Sequence, residues 1–359
     1  MQWPSDFSWH ANVVDAAWTC PTPSQAVRAF HARLDGYAVT PCVELPPLAK
    51  ELGVGRVFAK FEDDRFGLPA FKGLGASWAI HCALAERDGV TAKIPIIAAT
   101  DGNHGRAVAH FARLMGHPAI IVLPRGVSAA ATSAIQAEGA DVRILNGDYD
   151  AAVAEAARVA AATSGVHIQD TAWPGYEAIP TWIVEGYETL LAELDEQLQE
   201  QGVAAPSLVV VPAGVGSITQ AVVQHYRAEG RRQRAAILNV EPTSAPCVLA
   251  SLALGERTSV ETGDTIMAGL NCNSVSTIAW PILRAGLDAA VSVDDDADRQ
   301  AMRDLSALGL DAGSCGASVL AGARAALAGQ PERRSHLGIT GESVVVLLVT
   351  ERRLPDFVI

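Results

Sequence analysis

Leu208-Val209-Val210-Val211-Pro212-Ala213-Gly214-Val215-Gly216-Ser217 reads as one buried strand running straight into a glycine turn and the start of a helix. The strand half shows no two-residue alternation of apolar and polar side chains, the pattern of a parallel strand covered on both faces. The turn half sets glycine amides and a serine hydroxyl at a helix N-terminus, where backbone N–H groups gather around an anion. A dinucleotide fold would add a third glycine, but Thr219 stands at that place. No acidic residue falls about 20 residues on, and Glu241 lies farther along. The turn therefore favours a lone phosphate over a pyrophosphate, although a G-x-G pair alone is a weak signal.

The same strand-then-helix rhythm extends in both directions. Strand candidates are Arg56–Phe61, Ile94–Ala99, Ala119–Leu123, Val142–Leu145, Leu208–Val211, Ala236–Val240, Ala289–Val293 and Val344–Val349. Alanine-rich stretches between them read as helices: Gly105–Met115, Ala129–Glu138, Ala151–Thr163, Thr181–Gln199, Ile218–Ala228 and Arg299–Ala307. This alternation predicts a doubly wound α/β architecture with its sites at the carboxyl ends of the strands. No internal repeat and no long Pro/Gly/Ser linker interrupts the chain. Residues 87–180 hold a compact run of β-α units, expected to form a smaller domain inserted into a larger one made of 1–86 and 181–359.

Composition removes several function classes. With 49% hydrophobic and 19% charged residues among 359, the chain is globular and long enough for a sizeable core. A net charge of −13 argues against nucleic acid, since no Lys/Arg cluster localises enough positive charge to hold a phosphate backbone. The six cysteines show no C-x-x-C pair and no metal-ligand spacing with histidine, which fits thiols in a reducing cytosol and no bound metal. No apolar run approaches the ~18–20 residues that span a bilayer, and the N-terminus lacks an export signal. A cytoplasmic protein with no membrane or nucleic-acid partner is expected.

Three further segments carry chemistry. Phe71-Lys72-Gly73-Leu74-Gly75 places one lysine in an apolar, glycine-flanked stretch opening a helix. Held among Phe71, Leu74, Ala76 and Trp78, its amine would be desolvated, with a lowered pKa suited to attack on a carbonyl such as the aldehyde of pyridoxal phosphate. Taken alone, Lys72 reads more readily as a surface lysine with its stem on apolar neighbours. Thr100-Asp101-Gly102-Asn103-His104-Gly105-Arg106 follows a strand and enters a helix, a second site for a carboxylate or phosphate. Asn103 can hydrogen-bond a phenolic oxygen there, while Asp101 or Thr100 reads equally as a helix cap. Leu347-Leu348-Val349-Thr350-Glu351 ends a strand in a hydroxyl able to meet a ring nitrogen, or in an ordinary strand-terminal threonine.

The order of these segments, lysine, Asn-bearing loop, glycine loop and terminal hydroxyl, resembles the fold type II (tryptophan-synthase-β-like) family of pyridoxal phosphate enzymes. The resemblance is closer to its diaminopropionate ammonia-lyase branch. It is carried by Tyr37–Pro41 with Val43-Glu44-Leu45, by Lys60-Phe61-Glu62 through Arg65-Phe66-Gly67-Leu68 to Phe71-Lys72, and by Thr100–Arg106. Gln169-Asp170-Thr171-Ala172-Trp173, Gly175-Tyr176 with Ile179–Trp182, and Thr265–Leu270 continue it, so that it covers roughly Tyr37 to Thr350. Asp101 and the Gln-Asp-Thr-Ala-Trp stretch are specific to the branch, since ordinary dehydratases put Ser or Ala where Asp101 stands.

The resemblance implies a fold of two doubly wound parallel-sheet domains, the smaller inserted into the larger, and usually a homodimer. It implies a pyridoxal phosphate cofactor held by Lys72 as a Schiff base, by Gly214, Val215, Gly216 and Ser217 at the phosphate, by Asn103 at the phenolic oxygen and by Thr350 at the pyridine nitrogen. Lys72, Asp101 and Asp170 would be catalytic, with Thr100, Asp101, His104 and Asp170 around a small amino-acid substrate. Lys72 would take the Cα proton of an L-substrate, Asp101 that of the D-enantiomer, and Asp170 would pair with a β-ammonium. His104 reads equally as a loop-stabilising donor. Elimination of ammonia from 2,3-diaminopropionate would leave an aminoacrylate that hydrolyses to pyruvate and a second ammonia. Two departures stand out: Gly313–Ser318 lacks an acidic residue that the family carries there, and Arg352 replaces a common glycine. β-Elimination or β-replacement on another β-substituted amino acid therefore stays open, as does a non-catalytic binder of pyridoxal phosphate or a dinucleotide.

Overall fold

The computed structural model describes residues 8–87, 92–100, 102–231, 233–354 and 357. Its strands are β1 (Trp9–Ala11), β2 (Cys42–Glu44), β3 (Arg56–Phe61), β4 (Ile96–Ala99), β5 (Ala119–Leu123), β6 (Asp141–Ile144), β7 (Val166–His167), β8 (Leu208–Pro212), β9 (Ala236–Pro242), β10 (Ala289–Val293) and β11 (Val344–Val349). They form two sheets. One has the order β1-β10-β9-β8-β11-β3-β2, the other β6-β5-β4-β7. All eight apolar runs read from sequence are strands, shifted by at most two residues at their ends. The large sheet is parallel in its interior, but the short strands β1 and β2 close its edges antiparallel. The expected parallel sheets are present, and the large one is mixed only through these two edge strands.

Burial explains the strand composition. In β8 all five residues are buried, because helices cover both faces. Helix Ser314–Leu327 lies on one face, almost wholly buried, and helices Lys72–Ala85 and Ser217–Tyr226 lie on the other. The small sheet packs β4 and β5 under helix Tyr149–Thr163.

The position of Lys72 follows from two close contacts. A Cβ on Gly75 would lie 2.7 Å from Cε1 of Tyr187, and one on Gly186 would lie 2.7 Å from Cα of Gly75. Only with hydrogen at both places can helix Lys72–Ala85 seat itself against helix Ala178–Gly186. The loop before it is pinned by a buried charge network. Arg65 donates to Glu62 and to both oxygens of Glu193, and Lys60 Nζ donates to Glu193 Oε2 at 2.9 Å. Each buried charge thus has a partner, as burial requires. The Lys60–Phe66 stretch quoted above is structural in this respect. Among the described residues no helix is long and apolar enough to cross a membrane, no group of three or more His, Cys, Asp or Glu could hold a metal ion, and no disulfide forms.

Candidate active site

The chain arriving from β3 is tied to the end of β11 just before its helix begins. Phe71 N–H donates to Thr350 O at 3.2 Å, and Ala70 bridges to Glu351. Lys72, the first helical residue, donates from Nζ to Asp170 Oδ2 at 2.6 Å. Burial pulls the Lys72 ammonium down, as its apolar neighbours predict. The Asp170 carboxylate outweighs that pull, however, and holds Lys72 above the ordinary lysine value. The lowered pKa expected from sequence is thus overturned, because the partner lies 98 residues away in the chain. Asp170 responds in kind: burial raises its carboxyl, but Lys72 brings it well below the usual carboxylate range.

Gly214, Val215, Gly216 and Ser217 wrap the start of helix Ser217–Tyr226, with Gly216 in the left-handed region at φ 91°. None of these four amides donates to another group among the described residues, so all four remain available to an anion at the positive end of the helix. The Ser217 hydroxyl donates to Asp170 O at 2.7 Å, and Ser276 links the turn to the next segment by donating its N–H to Val215 O and accepting Ala172 N–H at Oγ. The lysine, its counterion and the glycine turn are therefore one connected unit.

The second loop completes the wall. Thr100 is buried and its Oγ1 accepts the N–H groups of Gly102 and Gly105 at 3.0 and 3.1 Å, so its hydroxyl serves as a helix cap. Asp101 lies outside the described residues. His104 donates Nε2–H to Ile168 O at 2.9 Å, which leaves Nδ1 buried, without a hydrogen-bond partner among the described residues and 4.0 Å from Asp170 Oδ2. Burial lowers His104, Asp170 opposes that and Lys72 adds to it, with the net direction downward; with Nε2–H on Ile168 O, the neutral ring presents Nδ1 as an acceptor. Asn103 donates Nδ2–H to Glu351 Oε2 at 2.6 Å. Thr350 is buried at the end of β11, with its carbonyl on Phe71 N–H and no partner for its hydroxyl among the described residues.

Sequence reasoning missed two side chains here. Glu351 was read only as the neighbour of Thr350. Tyr187 is fully buried, stacks obliquely on Phe71 with ring centroids 4.7 Å apart, and has its phenol raised by burial and opposed by Lys72. It sits between two helices where the sequence shows one continuous amphipathic stretch, so no local signal marks it. Beyond Asp170, an open cleft of about 450 Å³ is lined by Tyr149, Asp150, Thr171, Trp173, Arg257 and Thr277.

Residues 33–351 match the family described as pyridoxal-phosphate dependent enzyme. The diaminopropionate ammonia-lyase of Salmonella typhimurium is 39% identical over 298 residues, 77% of this chain and 74% of that protein. The chain belongs to the pyridoxal-phosphate dependent enzymes, within the diaminopropionate ammonia-lyase family. The diaminopropionate ammonia-lyase of Escherichia coli (strain K12) is 36% identical over 93% of this chain and 90% of its own length. A crystal structure of the Escherichia coli diaminopropionate ammonia lyase, in complex with an aminoacrylate-PLP azomethine reaction intermediate, superposes with a TM-score of 0.87, 34% identity and coverage of 96% of this chain and 93% of that one.

The residues present fit the family's cofactor. The glycine turn presents its amides at the start of helix Ser217–Tyr226 to a phosphate dianion, and a Cβ at Gly214 would lie 2.9 Å from both Cys272 Sγ and Gly269 O, so the turn admits no bulk. Lys72 supplies a primary amine to the same unit, and the half-buried amide of Asn103 and the buried hydroxyl of Thr350 stand on segments tied to it through Glu351 and Phe71.

Proposed function

We propose that this protein eliminates ammonia from 2,3-diaminopropionate with pyridoxal phosphate, giving pyruvate and two ammonia. The observation that carries the reading is the pair of acceptors 4.0 Å apart, the Asp170 carboxylate and the bare Nδ1 of neutral His104. Both face a cation, and among the described residues the one they meet is Lys72. A substrate with a β-ammonium supplies a second cation for the same place; serine and threonine do not.

In this reading Lys72 holds the cofactor through Nζ, Gly214 to Ser217 hold its phosphate by their amides, Asn103 meets its phenolic oxygen and Thr350 its ring nitrogen. When bound, the cofactor supplies a sink for the electron pair left by the Cα–H bond. Lys72, deprotonated and parted from Asp170, takes the Cα proton of the L-substrate on one face. Asp101 takes that of the D-enantiomer on the other. Asp170 and His104 keep the β-nitrogen protonated, so that when the Cβ–N bond breaks it leaves as neutral ammonia with the bonding pair. The remaining enamine hydrolyses to pyruvate and the second ammonia. The cleft along Thr171 and Trp173 gives the substrate its approach.

We also read residues 87–180 as an inserted domain, supported by the four strands of the small sheet falling between Ile96 and His167. A cytoplasmic homodimer is part of the same proposal. The test is a panel of β-substituted amino acids assayed for pyruvate. 2,3-Diaminopropionate should give the highest kcat/KM, and a preference for serine or threonine would refute the assignment.

A further inference from the structure

Glu351 is placed by two hydrogen bonds and by the room that Gly313 leaves beside its carboxylate. Its Oε1 accepts the N–H of Cys315 at 3.0 Å, and its Oε2 accepts Nδ2–H of Asn103 at 2.6 Å. A Cβ at Gly313 would lie 2.6 Å from Oε1, so the glycine-rich entry to helix Ser314–Leu327 leaves room for this carboxylate and for no larger neighbour. The segment from Gly313 to Ser318 has no acidic side chain of its own; the acidic group beside the site comes instead from the residue after β11.

The chemistry of the two side chains differs in one decisive respect. A carboxamide can present either its oxygen or its two N–H hydrogens, whereas an ionised carboxylate only accepts. Burial raises the Glu351 carboxyl, and the hydrogen bonds from Cys315 and Asn103 together with Lys72 oppose that rise; in the ionised form, with Oε1 already occupied by Cys315, Oε2 can hold Asn103 only by its NH₂ end. One of the two hydrogens is then taken and the second is left to donate. A phenolic oxygen carrying negative charge needs that donor and is repelled by a carboxamide oxygen.

We propose that Glu351 is a positioning residue that fixes the amide of Asn103 so that an N–H, and not the carbonyl, is presented to the cofactor's phenolic oxygen. The proposal rests on the placement of Asn103 argued under Proposed function. Glutamine at this position is the sharp probe. It has the same shape and can keep the Cys315 contact through its oxygen, but its own NH₂ then faces Asn103, prefers the carbonyl of that amide and turns it over.

The experiment titrates apoprotein with pyridoxal phosphate and records affinity, the pH at which the visible band of the lysine-bound cofactor titrates, and thermal stability. Glu351→Gln should leave the melting temperature near that of the parent, weaken binding roughly 3- to 10-fold, as expected for the loss of one hydrogen bond, and move the pH midpoint of the band. In an Asn103→Ala background the same substitution should change neither affinity nor midpoint, because the group through which Glu351 acts is gone. Asn103→Asp, which sets two carboxyls against each other, should bind worst, and adding Glu351→Gln should recover part of that loss. An equal effect of Glu351→Gln in both backgrounds, or no effect in either, overturns the proposal, as does the absence of rescue. If Asn103→Ala itself leaves affinity and band unchanged, the placement of Asn103 fails and the role of Glu351 fails with it; if Asn103→Ala acts and Glu351→Gln does not, only the role of Glu351 fails.

Discussion

Asp170→Asn removes one charge from the Lys72 pair while keeping its shape. At 2.6 Å and an effective dielectric constant of about 20, the gross attraction is about 6 kcal/mol. Breaking such a largely buried pair by removing one partner typically costs about 3–5 kcal/mol, since the surviving charge keeps its desolvation penalty. Two effects follow. With the carboxylate gone, the largest influence opposing burial at the Lys72 ammonium is lost, so its raised pKa falls. Lys72 then becomes neutral at lower pH, and the rate at which apoprotein captures pyridoxal phosphate should reach half its maximum at least about one pH unit lower than in the parent, one unit being worth about 1.4 kcal/mol. The second effect falls on the substrate. A charge-assisted hydrogen bond contributes about 1.5–3 kcal/mol, so kcat/KM for 2,3-diaminopropionate should fall roughly 10- to 100-fold more than kcat/KM for serine, which has no β-ammonium. An unshifted capture profile would refute the electrostatic account of Lys72. Equal losses on the two substrates would refute the role of Asp170 and His104 as a cation site.

Gly216→Asp should weaken pyridoxal phosphate binding strongly in a direct titration, because it adds a negative charge to the anion turn, a strained left-handed residue at φ 91° and a Cβ 2.9 Å from Leu283 Cδ1; unchanged affinity would reduce the turn to a strand–helix connection. Asp101→Asn should lower kcat/KM on D-2,3-diaminopropionate by about 10²–10⁴-fold, the usual cost of losing a positioned base, and lower it much less on the L-form, whereas a simple helix cap predicts equal losses. Asp298 is buried in helix Asp295–Ala307 with neither carboxyl oxygen hydrogen-bonded, and burial together with Asp295 and Glu351 pushes it up to about 8. An acid raised in the folded state leaves stability intact below its ordinary pKa near 4 and removes it progressively as pH rises to about 8. Asp298→Asn should therefore raise the melting temperature by several degrees at pH 8 and by little at pH 4, and an equal change at both would contradict this.

The α/β architecture was legible because strands buried on both faces are forced to be largely apolar, so β5, β8 and β11 announce themselves as unbroken apolar runs, and β3 and β10 as nearly so, with Arg56, Lys60 and Ser292 the exceptions. β1, β2 and β7 span only two or three residues and leave no such run. The stretch Thr181–Gln199 reads as one helix, but the chain forms Ala178–Gly186 and Glu188–Glu200 with Tyr187 between them, because Gly186 is drawn against Leu74 and Gly75. That contact is made with a part of the chain more than a hundred residues distant. Lys72, Asn103 and the glycine turn stood out in the sequence because each opens a helix beside glycine. The charge state of Lys72 did not, since its partner Asp170 and the acceptor His104 are brought to it only by the fold. Glu351 was overlooked for the same reason: nothing in Val349-Thr350-Glu351 shows that Asn103 lies across from it.

All of this chemistry turns on one amine. Reduction of the pyridoxal phosphate-loaded protein with borohydride, followed by peptide mapping, locates the covalent link. The account predicts a single phosphopyridoxyl modification on Lys72 in the peptide containing Phe71-Lys72-Gly73-Leu74-Gly75, and none in Lys72→Ala. A modification on any other lysine, or one that persists in Lys72→Ala, would contradict it.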